Sequence, residues 1–248
     1  VVHCPHAPGL PLEESIDGVE IRRFKYAAEH RQTLAYQGDM HKQVKSSFSK
    51  ALLFYSFLRK WKKATKKLLT ELNPDIVHAH WLIPGAYVTN KSIMKHTKFC
   101  ISMHGTDVFL INKMKIAKRL AKKSIQRADK HHFVSNALQK IVVKQYGSTY
   151  GDGLVLPMVF GLEDFRQEPR TLPETKRILF VGRLMEVKGV DILINAFSQL
   201  VKHHPFEDWI LDIVGDGPER DSLTKLSLDK EIGHLVNFHG SKQRNEIK

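Results

Sequence analysis

The 248-residue sequence predicts an α/β fold with two parallel-sheet domains, the second of them incomplete. From residue 76 onward, short apolar runs typical of buried strands alternate with amphipathic stretches typical of helices. A polar segment with two prolines, 166–176, interrupts this alternation and is interpreted as a linker. Because strands that alternate with helices form parallel sheets, we expect Rossmann-like domains at 1–165 and 177–248.

The first 75 residues carry weaker signals. A short strand is predicted at 1–4, and alternating apolar and polar residues at 19–24 predict a half-exposed strand. One long helix, or two, is predicted at 40–72 and is ended by Asn73-Pro74. The apolar stripe that predicts this helix consists of Phe48, Ala51, Tyr55, Leu58, Trp61, Ala64, Leu68 and Leu72.

The remaining elements follow in alternation along the chain. Strands are predicted at 76–80, 99–103, 132–135 and 154–157, and in the second domain at 178–181, 209–215 and 235–240. Helices are predicted at 85–96, 108–127 and 137–146, then after Gly189 and after Arg220. Ser135 or Asn136 is expected to cap the helix at 137–146. Ligands are expected at the carboxyl ends of the strands, in the cleft between the domains.

The formal net charge of +13 is concentrated in two predicted helices. Residues 40–70 contain nine Lys or Arg residues, residues 112–127 contain seven, and neither segment contains an acid. Such positive faces suit anionic lipid headgroups or nucleic acid, and merely well-solvated helix faces would carry the same charge. Nucleic acid is not expected as a partner, because helix-turn-helix, zinc-finger and RRM signatures are absent.

The cysteines and the apolar runs bear on the compartment. Cys4 and Cys100 lie in strand-like runs without a partner spacing, which predicts buried, reduced thiols. No signal-peptide pattern and no apolar run approaching 18 residues is visible. We therefore expect a cytoplasmic protein, either soluble or peripheral at the inner face of the membrane.

Residues 177–191 carry the sharpest functional signal. An apolar run ends on Gly182, and Arg183 and Lys188-Gly189 then precede an apolar-periodic helix. Glycine allows close backbone approach, a helix start offers free N–H groups, and both cations neutralise phosphate charge. The pattern predicts an anion site, with an ordinary turn and two solvated cations as the alternative. It is not a P-loop, because G-x-x-x-x-G-K-[ST] is absent.

Five motifs in one order resemble those of the group 1 (family 4) glycosyltransferases of the GT-B fold. The pattern V-G-R-L-x-x-x-K-G-x-D is matched at Val181, Gly182, Arg183, Leu184, Lys188, Gly189 and Asp191. The pattern G-x-G-P-x-x-x-x-L is matched at Gly215, Gly217, Pro218 and Leu223, and V-x-F-x-G at Val236, Phe238 and Gly240. Upstream, H-x-H-W is matched at 78–81 and H-G-x-D at 104–107.

The resemblance implies a retaining hexosyltransferase that needs no metal. It would move a sugar from a UDP- or GDP-sugar to a glycan or lipid-linked acceptor in cell-surface polysaccharide biosynthesis, with the nucleotide sugar as co-substrate and no separate cofactor. By the same resemblance His104, Arg183 and Lys188 are the catalytic residues. Arg183 and Lys188 would hold the diphosphate, where fixed cations stabilise the charge that grows on the leaving group.

The resemblance also implies further contacts. The nucleotide would be bound by Gly182, Arg183, Lys188, Gly215, Asp216, Gly217, Phe238, His239 and Gly240. The acceptor side would contain His80, Trp81 and Asp107. Alternatives stay open: a capping or core role for His104, helix capping by Thr106 or Asp107, core packing for His80 and Trp81, and turn chemistry for 215–217.

The other histidines are interpreted from their spacing. His78 and His80 fall on one face of a strand, but a zinc pair would need further ligands that the spacing does not supply. His131 and His132 are expected to be a solvated surface pair.

The sequence departs from the family pattern in two places. Pro157 to Phe165 matches P-x-G-V-D-x-x-x-F only with a shifted register. The first Gly-rich turn and the E-x7-E segment are not found, so we expect a fragment with weak donor binding and little turnover alone. The rival interpretations are a non-catalytic sugar-nucleotide-binding module, a basic nucleic-acid-binding protein, and another GT-B activity such as a phosphorylase or epimerase.

Overall fold

The computed structural model describes residues 1–36, 40–158, 175–204, 208–243 and 246–247. Internal contacts divide the chain into two compact units, Val1–Met158 and Val159–Lys248. The predicted linker at 166–176 and the shifted hinge motif at 157–165 lie almost wholly outside the described residues. The domain limits set from the sequence therefore stay predictions.

The first unit begins with a small sheet of β1 (Val2–Pro5), β2 (Glu13–Ile16) and β3 (Val19–Phe24). The order is β1-β3-β2, with β1 parallel and β2 antiparallel to β3. The predicted strands at 1–4 and 19–24 are confirmed, but β2 was missed. Its signal was present: Asp17-Gly18 forms the two-residue turn, with φ of 50° and 77°, and Asp-Gly is a strong hairpin signal.

Two helices follow, α1 (Met40–Ser46) and α2 (Phe48–Leu72). The predicted helix end at Asn73-Pro74 is confirmed, and Asn73 takes the left-handed conformation there. The apolar stripe is partly wrong, because Phe48 and Tyr55 are 79% and 66% exposed. The buried side is set by the aromatic cluster around Phe24, which packs on Leu53 and on the fully buried Phe57 instead.

The second sheet of this unit has only parallel neighbours, in the order β4-β5-β6-β7. Along the chain come β4 (Ile76–His80), α3 (Tyr87–Asn90), β5 (Lys98–Met103), α4 (Thr106–Lys113), α5 (Lys115–Arg127), β6 (Lys130–Phe133), α6 (Asn136–Tyr146) and β7 (Leu154–Val155). All four predicted strands are confirmed to within two residues at each end. Ser135 is the cap of α6, because its side chain accepts from the amide of Leu138.

Two predicted helices of this region need correction. The helix predicted at 85–96 is an irregular turn at Leu82–Ala86 followed by four-residue α3. It stops where the Ser92 hydroxyl bonds the Val88 carbonyl, which is local competition with helical bonding. The single helix predicted at 108–127 is broken into α4 and α5 by extended backbone at Met114.

The core of this sheet lies on one face. Phe99, Ile101, Met103 and Phe133 are fully buried there beneath α4, α5 and α6. The opposite face carries polar side chains, which makes it the face on which chemistry can occur. Cys100, on that polar face, and Cys4 are both free and half-buried.

The second unit contains β8 (Lys176–Val181), α7 (Val190–His203), β9 (Trp209–Val214), α8 (Arg220–Asp229) and β10 (Val236–Gly240). The strands are parallel in the order β10-β9-β8, so the three predicted strands are confirmed. The expectation that β8 is buried is wrong, since Leu179 and Val181 are 58% and 47% exposed. Helices α7 and α8 join one core cluster on one face, and among the described residues Leu179 and Val181 point to the other.

Candidate functional site

The first unit brings three predicted site residues together at the carboxyl ends of β4 and β5. His80 is the last residue of β4, Trp81 follows it with φ of 71°, and His104 follows β5. Because β4 and β5 are adjacent and parallel, Nδ1 of His80 lies 2.8 Å from Nε2 of His104. The Trp81 and His104 rings are 6.5 Å apart. One imidazole donates to the other, so the pair shares one proton.

Asp107, predicted on the acceptor side, is a buried brace. Its carboxylate accepts from the amides of Leu82 at 2.9 Å, His104 at 3.1 Å and Gly105 at 2.9 Å. The side chain lies in the first turn of α4 and the residue is 2% exposed. This bonding corresponds to the capping alternative and gives Asp107 a positioning role, because it ties the loops after β4 and β5 together.

Gly85 completes this strand end and was missed in the sequence. A Cβ added to Gly85 would overlap the carbonyl oxygen of His80. The turn after Trp81 therefore folds closely over the end of β4 only because residue 85 has no side chain.

A second row of polar groups lies on the same sheet face. Nε2 of His78 and Nδ1 of His132 each lie 2.7 Å from the Ser102 hydroxyl, and Nε2 of His132 lies 2.7 Å from the Leu156 carbonyl. A carbonyl only accepts, so Nε2 of His132 donates to it. With neutral rings, Nδ1 then accepts from Ser102, whose oxygen accepts from His78.

The expectation that His131 and His132 are a solvated pair is wrong. His132 belongs to the row just described, and Nε2 of His131 lies 3.0 Å from the Ile125 carbonyl. The rings are half-buried because β6 lies between β5 and β7. The register of β5 against β6, which places Ser102 opposite His132, could not be read from spacing.

Burial favours the neutral form of three imidazoles on the sheet face and at the strand ends, those of His78, His80 and His104. Desolvation lowers the pKa of His78, His80 and His104 below the ordinary value of 6.5, and neighbouring imidazoles lower each pKa further. Asp107 partly opposes this at His104 by raising its pKa. The strand end therefore presents neutral rings that can donate or accept hydrogen bonds to sugar hydroxyls.

The second unit brings together the glycine loops predicted to bind a nucleotide. The amide of Gly182 donates to Val214, that of Leu184 to Asp216, and that of Gly215 to Gly240, at 2.8–3.0 Å. These bonds join the loops after β8, β9 and β10 into one surface at the carboxyl edge of the sheet.

Close backbone approach explains two of the glycines. A Cβ on Gly215 would overlap the carbonyl oxygen of Gly182, and one on Gly217 would overlap that of Leu184. Gly215 also has φ of 134°, which disfavours any side chain. The turn alternative therefore accounts for both glycines, while Asp216 stays exposed with Oδ1 accepting from the amide of Gly217 at 2.7 Å.

Arg183 and Lys188 are the cations at this edge. Both are exposed, and neither side chain has a hydrogen bond or an ion pair within the described part of the chain. Lys188 ends a short turn, Glu186–Lys188, and Gly189 takes φ of 64° before α7 begins at Val190. Lys188 therefore lies at a helix start, where amides without helical partners also favour an anion.

The end of β10 is more heavily bonded than the sequence indicated. Nε2 of His239 lies 2.7 Å from Oδ1 of Asp212, which also accepts from Arg177 and Asn237. Burial alone would raise the pKa of Asp212, but these hydrogen bonds outweigh burial and lower the pKa. The His239 ring is thus held on the sheet face rather than pointing freely from the strand end.

Arg220 is a strand-end cation that the sequence analysis did not select. It begins α8, donates to the Phe238 carbonyl at 3.3 Å, and lies 5.4 Å from the centre of the Phe238 ring. Its position as the first helical residue after Gly215-Asp-Gly-Pro218 was the available signal.

The described residues contain neither a metal-binding cluster nor a membrane-spanning helix. No group of three or more His, Cys, Asp or Glu side chains is placed to hold a metal ion there. No helix in that part of the chain combines the length and the apolar character needed to cross a bilayer.

Two α/β units with parallel sheets, each with its polar loops at strand carboxyl ends, define a protein of the GT-B fold. Residues 1–157 match the family described as Glycosyltransferase Family 4, and residues 163–248 match Glycosyl transferases group 1. The chain therefore belongs to the group 1 (family 4) glycosyltransferases.

One relative illustrates this assignment. The chain is 27% identical over 183 residues to N-acetyl-alpha-D-glucosaminyl L-malate synthase of Bacillus anthracis, which covers 70% of this chain and 47% of that protein. The chain thus spans about half the length of this curated relative.

Solved structures show the same fold. Sucrose-phosphate synthase from Thermosynechococcus elongatus has a TM-score of 0.70 at 17% identity, covering 98% of this chain and 60% of that one. Anabaena Alr3699/HepE in complex with UDP and glucose has a TM-score of 0.58 at 17% identity, covering 92% and 57%.

Proposed function

We propose that the chain contributes to a retaining glycosyltransferase that moves a hexose from a UDP- or GDP-sugar to a glycan or lipid-linked acceptor without a metal. The observation that carries the proposal is the pair of exposed cations, Arg183 and Lys188, at a helix start beside interlocked glycine loops. Among the described residues their side chains have no partner. Family membership supports the reaction class, and the UDP complex of the Anabaena relative supports a nucleotide donor.

Arg183 and Lys188 would act on the departing nucleoside diphosphate. As the glycosidic bond to the donor breaks, negative charge grows on the diphosphate oxygens. A guanidinium and an ammonium near those oxygens bind the transition state more tightly than the ground state, which is what accelerates the reaction. They would supply the charge that a divalent metal supplies elsewhere.

The glycine loops would hold the rest of the nucleotide. Gly182, Asp216 and Gly217 lie beside the proposed diphosphate position, and backbone groups at 238–240 would contact the base. The Gly240 carbonyl already accepts from Gly215, and the Phe238 carbonyl from Arg220. Base contacts would therefore use the remaining backbone groups and the second lone pairs of these carbonyls.

On the first unit, His104 would contact the transferred sugar, and His80 and Trp81 would lie on the acceptor side. Neutral imidazoles suit this role because they can both donate and accept toward hydroxyls. Trp81 is 42% exposed, which leaves its ring free to pack against a sugar. Asp107 would orient His104 through its backbone amide.

The basic helices support a peripheral position at the inner face of the membrane, with cell-surface polysaccharide assembly as the setting. On α2, exposed apolar residues are followed by exposed cations at helical spacing, in the order Phe48, Leu52, Tyr55, Arg59, Lys62, Lys63 and Lys66. This arrangement matches interfacial helices on anionic lipid. Sedimentation with anionic vesicles should exceed that with neutral vesicles, and equal sedimentation would contradict the membrane role.

The donor site is tested by nucleotide binding. UDP, GDP and ADP are compared by calorimetry on the unchanged chain and on Arg183→Ala and Lys188→Ala. Each variant should lose one charge-assisted contact, roughly 1.5–3 kcal/mol of binding free energy. The matched control is Lys225→Ala, an exposed cation on α8.

Unchanged nucleotide affinity in both variants would remove Arg183 and Lys188 from the site. Nucleotide binding without sugar transfer, also after fusion to the segments of a relative that this chain does not match, would favour a non-catalytic binding module. Tighter, salt-sensitive RNA binding would favour the nucleic-acid alternative.

A further inference from the structure

A cationic cavity lies in the first unit, on the helices rather than at the strand ends. It measures about 590 Å³ and lies between the first two turns of α5 and the last residues of α6. Its polar lining consists of Lys115, Lys118, Arg119, Lys122, Gln145 and Tyr146. Four of these six side chains are cations and none is an acid.

The four cations have no counter-charge in the described part of the chain. None of them forms an ion pair or a side-chain hydrogen bond there. Lys115 and Arg119, like Lys118 and Lys122, are four residues apart on one helix. Like charges at this spacing destabilise a helix. An anion bound in the cavity would remove that repulsion.

The wall opposite α5 is held in place by hydrogen bonds. The Tyr146 hydroxyl donates to the Lys118 carbonyl at 2.9 Å, and Nε2 of Gln145 donates to Asn112 at 2.6 Å. Burial raises the pKa of Tyr146 to about 12, so its hydroxyl keeps its proton near neutral pH. These bonds fix the side of the cavity formed by Gln145 and Tyr146, so that side needs less ordering when a ligand binds.

The cavity is separate from the strand-end site that contains His104. Helix α6 begins just after the carboxyl end of β6 and runs back before β7, so Tyr146 lies toward the opposite edge of the sheet. Eleven residues of helix span about 16 Å. Residues Arg183 and Lys188 belong to the other unit.

We propose that the cavity between α5 and α6 binds a phosphate-bearing anion through charge-assisted hydrogen bonds from Lys118, Arg119 and Lys122, with Lys115 at its rim. Phosphate fits because it presents several acceptor oxygens to several cations at once. The phosphate can belong to a free phosphorylated small molecule or to a lipid headgroup, and both sources share this chemistry.

The test uses inorganic pyrophosphate as the probe, at constant ionic strength, in a chain that carries Arg183→Ala and Lys188→Ala. That background removes the cations of the proposed donor site. A failure of the cavity proposal can therefore be distinguished from a failure of the donor-site proposal. In it, Lys118→Gln with Lys122→Gln should weaken pyrophosphate binding about tenfold or more.

The matched control is Lys91→Gln with Lys95→Gln, which follow α3. This pair has the same spacing and charge, is exposed, and lies outside the cavity. Its binding should stay within about twofold of the background, because it removes only long-range charge. Thermal melts should show that the α5 pair leaves the unliganded midpoint unchanged or raised, since two like charges are gone.

Vesicles of phosphatidylglycerol with phosphatidylcholine distinguish the sources. Loss of both pyrophosphate and vesicle binding in the α5 pair supports a headgroup, and loss of pyrophosphate binding alone supports a free phosphorylated ligand. Equal weakening by the α5 pair and by the Lys91 and Lys95 control pair would overturn the proposal. So would a background chain that binds neither pyrophosphate nor the anionic vesicles.

Discussion

The two strand-end regions differ in how their polar groups are satisfied. In the first unit, His80 and His104 bond each other, and the Asp107 carboxylate is filled by three amides. In the second unit, the backbone loops bond each other, but Arg183 and Lys188 have no partner within the described residues. The polar groups of the first region satisfy one another, whereas the second region has a bonded backbone frame with two cations that an anion would pair.

The largest expected effect is on the frame of the second region. Gly215→Ala should lower the free energy of unfolding of this unit by about 3 kcal/mol or more, because its Cβ would overlap the Gly182 carbonyl and its φ is 134°. Chemical denaturation measures the loss.

Gly147→Ala is the control for Gly215→Ala. Gly147 has φ of 108° and ψ of 162° but no atom within 4 Å of an added Cβ, so only backbone strain of about 1–3 kcal/mol is expected. Equal losses in the two variants would mean that the loops of the second unit do not need their close approach.

An intermediate loss of stability is expected when Asp107, which braces the loops of the first region, is replaced. Asp107→Asn replaces an oxygen that accepts amide hydrogens with an NH₂ group, leaving at least one buried donor unpaired. The expected loss of unfolding free energy is about 2–3 kcal/mol. Asp152→Asn, at an exposed position, is the control and should stay within about 0.5 kcal/mol. A loss no greater than that of the control would assign Asp107 no positioning role.

The smallest effect is the contribution of the first region's imidazoles to the pH dependence of stability. The lowered pKa values of His78, His80 and His104 mean that the unfolded chain binds protons more readily than the folded chain near and below pH 6.5. The free energy of unfolding should therefore fall as pH drops from 7.5 through about 6.5, by less than about 1 kcal/mol after solvent screening.

Urea unfolding at several pH values measures this dependence. Replacing the three histidines by Gln should reduce the slope, and His30→Gln, on an exposed turn, is the control. An unchanged slope in the triple variant would place the pH dependence elsewhere.

The fold was largely predictable because its strands are short apolar runs with clear ends. The strands at 76–80, 178–181 and 209–215 were found from local pattern alone. The break at Met114 was not, because every residue from Val108 to Arg127 is compatible with one helix. The buried face of α2 was also misjudged. Phe48 and Leu68 belong to the same predicted apolar stripe, but only Leu68 is buried, because only Leu68 has packing partners beside it.

The candidate site was predictable where the chemistry is carried by contiguous motifs. Arg183 and Lys188 follow a glycine and precede a helix, and the structure places both there. The row from His78 through Ser102 to His132 joins three strands, so it depends on register that no local pattern reveals. Asp107 was predicted on the acceptor side, which stays a prediction; its bond to the amide of Leu82, 25 residues earlier, could not be read from local pattern.

The hydrogen bonds from Gly182, Leu184 and Gly215 have a mechanical consequence. Each loop of the second unit uses a neighbour's backbone as its support, so displacing one requires its neighbours to shift as well. A displacement of the segment that carries Arg183 would therefore shift the backbone at Gly240, two strands away. The shift would pass through backbone hydrogen bonds and would require no side-chain rotamer change.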